Sequence, residues 1–200
     1  MQNYLERLNE YQKQAVLHDQ GPLVVFAGAG SGKTRVITTR IAHLIHNGVH
    51  PASILAVTFT NKAANEMKER ILNLCSYAGP CHVATFHAAC ARWLREFAGE
   101  LGFNPDYVIY DDSDATNALK TVLKALDPNV DLPVLAADMK SFIQWAKTHA
   151  LFPSDLQSLV ETHSEQIPTG GIDVYKRYQE YLAKCNAMDF GDLLLNMLLL

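Results

Sequence analysis

The chain has 200 residues, of which 48% are hydrophobic and 19% are charged. This composition is typical of a globular chain with room for one full domain or two small ones, and it excludes a disordered tail. The longest apolar run, Leu193 to Leu200, contains Asn196 and is shorter than the roughly 20 residues of a membrane span. The first ten residues contain no basic-then-apolar signal segment, so we expect a cytoplasmic protein that binds no membrane.

The net charge of −4 argues against a protein that simply coats nucleic acid. Residues 1–100 carry a net charge of +3, however, and residues 101–200 a net charge of −7. We therefore expect any polyanion to bind the first half. None of the four cysteines forms a Cys-x-x-Cys pair, which is typical of reduced thiols.

Strand and helix patterns alternate over the first ninety residues. Short apolar runs predict strands over 22–27, 54–59 and 83–86, and the first two of them are expected to be buried. Apolar spacing predicts helices over 32–47, from an Asn61 N-cap to Leu74, and from the third strand through Trp93. This alternation predicts an α/β fold with a parallel sheet.

The pattern changes after residue 100, where a strand at 107–110 precedes a mostly helical piece. Helices are predicted near 113–126, 134–148, 154–162 and 172–186, and a last one from Asp189. We expect the run from Leu193 to Leu200 to be a buried helix.

A glycine-rich loop lies between the first strand and its helix. It matches the phosphate-loop pattern G-x-x-x-x-G-K-[ST], except that an alanine takes the place of the first glycine. Its residues are Ala27, Gly28, Ala29, Gly30, Ser31, Gly32, Lys33 and Thr34. Consecutive backbone N–H groups and the helix N-terminus favour the binding of an anion here. Lys33 would reach the β and γ phosphates of a nucleotide, and the Thr34 hydroxyl would hold Mg²⁺. A glycine-rich turn with an incidental lysine is the alternative, and the loop alone does not separate kinase, GTPase, transporter ATPase and helicase.

Three further segments place polar or aromatic groups near this loop or at strand ends. LNEYQKQAV covers residues 8–16, where Asn9 and Gln12 also fit a helix capping box. AVTFTNKAA (56–64) and VATFH (83–87) end two predicted parallel strands, at the edge where ligands bind in open sheets.

Together these segments resemble the superfamily-one DNA helicases of the Rep/UvrD/PcrA type. They are similar to the family's Q motif and motifs I, Ia and Ib, and DFGDLL at 189–194 matches a run that follows the family's helical insertion. The resemblance implies a RecA-like phosphate-loop NTPase sheet, incomplete here, with an inserted helical subdomain. It assigns 1–88 to ATP-binding domain 1A, 89–187 to subdomain 1B, and 188–200 to a truncated return to 1A.

The resemblance also implies residue roles. Gln12 would recognise adenine, Arg35 would flank the base, and Phe59 would stack on a DNA base. Phosphate or sugar contacts would come from Thr58, Thr60, Asn61, Lys62, Thr85 and His87. A core aromatic remains the alternative for Phe59, and a capping or packed histidine remains the alternative for His87.

Two tempting sites are better explained structurally. Asp111 and Asp112 follow an apolar strand as metal-binding acids would, but they also open a helix, where caps and first-turn acids are expected. Cysteines and histidines at 81, 82, 87 and 90 lack the paired spacing of a metal site, so we expect no metal apart from Mg²⁺ carried by ATP.

The implied activity is that of an ATP-dependent 3′–5′ DNA helicase with roles in DNA repair or replication. Its partners would be single-stranded DNA, duplex junctions and a second RecA-like domain. The family's catalytic acid pair and arginine fingers are not found in these 200 residues, so we expect the chain to be inactive alone. A helicase–nuclease subunit and a non-catalytic nucleotide or single-strand binding module remain alternatives.

Overall fold

The computed structural model describes residues 4–129, 131–163 and 165–200. The chain divides into two compact units, one ending at Ala89 and the other beginning at Cys90. Each unit has its own apolar core.

The first unit combines helices with a short parallel sheet. Its elements are α1 (Glu10–Leu17), α2 (Lys33–His46), β1 (Leu55–Thr58), α3 (Asn61–Leu74), β2 (His82–Thr85) and the start of α4 (Phe86–Glu96). β1 pairs with β2 in parallel from Leu55↔His82 to Thr58↔Thr85, as the sequence predicts. Apolar faces of α2 and α3 cover this pair, with Ile41, Ile45 and Ile71 in the core.

The expected buried strand over 22–27 is wrong. These residues have no strand structure and are exposed, to 94% at Phe26. A strand is stable only when neighbouring strands take its backbone hydrogen bonds and a covering layer takes its side chains. Within the described residues, β1 and β2 pair only with each other, so this segment has neither.

The helix expected to start at an Asn61 cap in fact starts with Asn61 as its first residue. Thr60 is the N-cap, with extended backbone and a side-chain oxygen that accepts a hydrogen bond from the Ala63 N–H. Threonine and asparagine both cap helices well, so residue type alone does not decide between these two neighbours.

The second unit is mostly helical. Its elements are the rest of α4, β3 (Val108–Tyr110), α5 (Asp112–Leu126), α6 (Leu132–Thr148), α7 (Pro153–Leu156), α8 (Gly171–Lys184), β4 (Ala187–Asp189) and α9 (Phe190–Leu195). The expected helix over 154–162 is shorter, because α7 ends at Leu156 and a 3₁₀ turn follows. β4 was not expected, and it pairs in parallel with β3.

The expected buried helix over Leu193–Leu200 is also wrong in part. Helix α9 ends at Leu195, a 3₁₀ turn follows, and Leu198 and Leu199 are exposed. Residues 188–200 pack inside the second unit, where Met188 and Leu193 join one apolar cluster. Among the described residues, no helix is both long and apolar enough to cross a membrane.

Candidate functional site

The glycine loop forms a turn at the start of α2, and Lys33 closes this turn. Lys33 Nζ donates hydrogen bonds to the carbonyl oxygens of Gly28 at 2.7 Å and Ala27 at 3.1 Å. Ser31 Oγ also donates to the Gly28 carbonyl, at 2.7 Å. Gly30 and Gly32 have φ angles of 75° and 84°, which only glycine adopts readily.

The N-terminus of α2 suits an anion. Its N-cap is Gly32, which offers no side chain to bind the first N–H groups of the helix. Those groups carry the positive end of the helix dipole. Thr34 lies in this first turn, and its hydroxyl has no hydrogen-bond partner among the described residues.

Gln12 connects α1 to the loop. Its Oε1 accepts a hydrogen bond from the Asn9 N–H at 3.0 Å, which completes the expected capping box. Its Nε2 donates to the Ser31 carbonyl at 2.9 Å. A Cβ on Gly32 would lie 2.9 Å from this nitrogen, so any other residue there would displace the end of the Gln12 side chain. Both ends of the Gln12 amide are therefore engaged, and adenine recognition by Gln12 stays a prediction.

Arg40 is a positioning residue that sequence reasoning missed. Its Nη1 donates to the carbonyl oxygens of Ala15, Val16 and His18, which are left unpaired at the end of α1. This contact fixes α1, and hence Gln12, to α2. The only sequence signal is a cation in the middle of α2, between Thr39 and Ile41.

The ends of β1 and β2 bring two aromatic rings together. Phe59 and Phe86 follow the last register pair of the sheet, and their ring centroids are 5.6 Å apart at 42°. Phe59 is 90% exposed, so the core-aromatic alternative does not hold for it. Phe86 is 42% exposed and was not singled out from the sequence.

Two of the predicted DNA-contacting hydroxyls already have structural roles. Thr60 caps α3, and Thr85 Oγ1 accepts a hydrogen bond from the Ala88 N–H near the start of α4. Asn61 and Lys62 lie exposed in the first turn of α3. His87 is half-buried in the first turn of α4, and Thr58 ends β1. Contacts of these residues with DNA stay predictions.

The acids after β3 cap a helix. Asp111 Oδ1 accepts a hydrogen bond from the Asp114 N–H at 2.8 Å, and Asp114 Oδ2 accepts one from the Asp111 N–H. Asp112 forms an ion pair with Lys140 at 2.6 Å. The structure thus bears out the capping interpretation.

No cluster of three or more potential metal-ligating side chains is found in the part of the chain that the structure describes. Cys81 and Cys90 are buried, and burial raises the pKa of both thiols above its ordinary value. Raised thiol pKa values favour the neutral form, which binds metal poorly.

A buried ion-pair network surrounds the DFGDLL run. Lys147 Nζ lies 2.6 Å from Asp189 Oδ2 and 2.7 Å from Asp192 Oδ1. The Tyr178 hydroxyl donates to Asp189, and Gln179 Nε2 donates to Asp192. The sequence analysis identified the DFGDLL run but not Lys147. The only sequence sign of this residue is a lysine on the apolar face of α6.

The pKa values of the two carboxyl groups in this network are shifted in opposite directions. Burial acts to raise the pKa of Asp189, but the Lys147 ammonium and the Tyr178 hydroxyl outweigh it and hold that pKa below the ordinary value. At Asp192 burial is the larger effect and raises the pKa despite Lys147. The network therefore holds Asp189 firmly ionised.

Comparison with known proteins places the chain in a family. The family model for the UvrD/REP helicase N-terminal domain matches residues 8–200, and the chain belongs to this family.

Two groups of relatives illustrate the similarity. The chain is 40% identical over 199 residues to the ATP-dependent DNA helicase PcrA of Staphylococcus aureus. The aligned region covers 98% of this chain and 26% of that protein. It is 40% identical over 201 residues to a probable DNA helicase II homolog of Rickettsia felis, covering 97% of this chain and 30% of the relative. The chain thus spans between a quarter and a third of the length of these relatives.

Proposed function

We propose that this chain is the ATP-binding and single-strand-binding part of an ATP-dependent 3′–5′ DNA helicase. In this proposal residues 1–88 form RecA-like domain 1A, 89–187 form subdomain 1B, and 188–200 return to 1A. Membership of the helicase family and the loop geometry support it.

The observation that carries the proposal is the position of the Lys33 ammonium. It lies at the N-terminus of α2 and is held by two loop carbonyls, 2.7 and 3.1 Å away. Phosphate oxygens are better partners for an ammonium than neutral carbonyls, because both partners are then charged. Lys33 therefore exchanges its loop carbonyls for the β and γ phosphates when ATP binds.

The residues around the loop suit the rest of the nucleotide. The Thr34 hydroxyl, which has no partner in the described structure, would hold the Mg²⁺ that ATP brings. Gln12 would turn its amide from Ser31 to the adenine edge, and Arg35 in the next turn would flank the base. Binding of the base would thus break the hydrogen bond between Gln12 and the Ser31 carbonyl, which constrains the loop.

Single-stranded DNA would cross the ends of β1 and β2. A 90% exposed phenylalanine costs free energy in water, and a stacked base would cover it. Lys62 in the next turn would pair with the backbone phosphate, assisted by Asn61 and His87.

Hydrolysis needs groups that we propose are supplied outside this chain. An acid must hold Mg²⁺, a further group must orient water, and cations must take up the developing charge. The acids that follow β3 are occupied as a cap and an ion pair. We therefore propose that a second RecA-like domain, together with the rest of the first, completes the catalytic site.

Titration with a fluorescent ATP analogue and Mg²⁺ tests the nucleotide site. Lys33→Ala should weaken binding by about 1–3 kcal/mol, the scale of a charge-assisted hydrogen bond. Lys68→Ala removes an exposed lysine of α3 and is the control for charge alone. Equal affinity for both variants would place the nucleotide elsewhere.

A further inference from the structure

The buried network around Lys147 holds more negative than positive charge. Lys147 Nζ lies 2.6 Å from Asp189 Oδ2 and 2.7 Å from Asp192 Oδ1, so two carboxylates share one ammonium. A buried charge without a counter-charge costs free energy. One proton on either carboxylate would neutralise this cluster of three side chains. None of the three belongs to the nucleotide or DNA sites of the proposed function.

Asp192 is the carboxylate that gains more from a proton. Its side chain is 2% exposed, whereas that of Asp189 is 14% exposed, so Asp192 loses more of its hydration. Asp189 Oδ2 accepts hydrogen bonds from the Lys147 ammonium and, at 3.0 Å, from the Tyr178 hydroxyl. The pKa directions agree with this ranking, because burial raises the pKa of Asp192, whereas at Asp189 the same effect is outweighed by Lys147.

Gln179 offers an acceptor for this proton. Its Nε2 donates to Asp192 Oδ1 at 2.8 Å, but its Oε1 is buried and has no hydrogen-bond partner in the part of the chain that the structure describes. Buried polar atoms normally have a partner, so a free buried acceptor indicates a donor that arrives later. An amide both donates and accepts, and turning it over exchanges Nε2 for Oε1 opposite Asp192. An ionised Asp192 thus accepts from Nε2, and a protonated Asp192 donates to Oε1.

The other titratable groups around Asp192 do not take its place as the proton site. Lys147 faces it from α6, and Asp189 faces it from the N-cap of α9. Tyr175 and Tyr178 lie on α8, the helix that also carries Gln179. Burial and the neighbouring carboxylates raise the pKa of both tyrosines, so both phenols stay neutral.

From these observations we infer that Asp192 is a buried proton-binding site and that the Gln179 amide turns to accept its proton. The proton binds above about pH 4, where an aspartate in water has already lost it. With Asp192 neutral, Lys147 pairs with Asp189 alone and the cluster has no net charge. The folded chain therefore binds this proton more tightly than the unfolded chain, so the stabilisation that it gives grows as the pH falls and is lost as the pH rises.

The first test is an NMR titration of the unsubstituted chain from about pH 8 to about pH 4. It follows the carboxyl carbons of the aspartates and the side-chain amides of the glutamines. We expect the Asp192 carbon to titrate above about pH 4 and the Gln179 amide to shift with the same midpoint. The exposed amide of Gln144 on α6 is the control and should not shift. An Asp192 carbon that titrates at or below about pH 4, or that titrates without a change at Gln179, would overturn the inference.

The second test uses two matched substitutions in the same network. Asp192→Asn and Asp189→Asn both replace a carboxylate by an amide of the same shape. At neutral pH, Asp192→Asn should raise the urea midpoint of unfolding, because it removes the excess charge and supplies a donor for Gln179. Asp189→Asn should lower the midpoint, because it removes the carboxylate that Lys147 retains. A midpoint that falls in Asp192→Asn as it does in Asp189→Asn would overturn the inference.

Discussion

The buried network at Lys147 gives a sharp prediction, because α6 contains a matched pair of lysines. Lys147 and Lys140 each form an ion pair at 2.6 Å with an aspartate outside α6. The side chains of the Lys147–Asp189 pair are 3% and 14% exposed, whereas those of Lys140–Asp112 are 24% and 82% exposed. The two pairs differ in burial, and Lys147 also has a second aspartate partner, Asp192, at 2.7 Å.

Lys147→Met should therefore cost far more stability than Lys140→Met. Methionine keeps an apolar stem of similar length and removes only the ammonium, which leaves Asp189 and Asp192 buried without their cation. Breaking a buried pair in this way costs about 3–5 kcal/mol, whereas an exposed pair contributes about 0–1 kcal/mol. Tyr178 and Gln179 still donate to the two carboxylates, so we expect a value near the lower end of the first range.

Urea denaturation at neutral pH measures this difference. Far-UV circular dichroism follows the helices, and tryptophan fluorescence reports on α6 through Trp145 and on α4 through Trp93. A second variant, with Lys147→Met, Asp189→Asn and Asp192→Asn combined, removes the unpaired charges and should regain part of the loss. Equal destabilisation by Lys147→Met and Lys140→Met would refute the argument that burial makes the Lys147 network contribute more to the free energy of unfolding.

Three further results are expected. Phe59→Ala should weaken single-stranded DNA binding, measured by fluorescence anisotropy, by about 1–3 kcal/mol, the value of one base stack. Tyr11→Ala removes another exposed ring and should leave this affinity unchanged. Lys62→Ala should reduce the salt dependence of the same affinity by about one phosphate contact, and an unchanged slope would exclude that contact. Because the folded pKa of Asp189 lies below its unfolded value, ionised Asp189 stabilises the fold above about pH 4, and this contribution is lost as the pH falls further. Asp189→Asn should flatten that part of a stability–pH profile, and a profile parallel to wild type would contradict the assignment.

Local patterns in the sequence predict the helices well. The apolar spacing of α2, α3, α5, α6 and α8 lies within each segment, so it can be read without knowledge of the rest of the fold. The loop from Gly28 to Thr34 is likewise encoded locally by its glycines and lysine.

Features that depend on distant partners were not predictable in this way. β4 has only three residues and exists because β3, some eighty positions earlier, pairs with it. Conversely, 22–27 has an apolar strand pattern, but none of the described strands pairs with it. Lys147 could not be assigned from spacing, because its partners lie 42 and 45 positions further along the chain.

The catalytic part of the proposal has its own test. We expect negligible steady-state phosphate release from ATP, with or without single-stranded DNA, because an arginine finger alone contributes about 10³ to 10⁵ in rate. DNA-stimulated turnover that disappears in Asp111→Asn would contradict both this expectation and the capping role of Asp111.

The most direct test of the central claim is amide hydrogen exchange of the glycine loop with and without ATP and Mg²⁺. If the loop cradles the phosphates, ATP should slow the exchange of the amides from Gly28 to Thr34, which lie in exposed or half-exposed residues. The effect should be lost in Lys33→Ala and kept in Lys68→Ala. Unchanged exchange across the loop in the wild-type chain at saturating ATP would contradict the assignment of this loop as the nucleotide site.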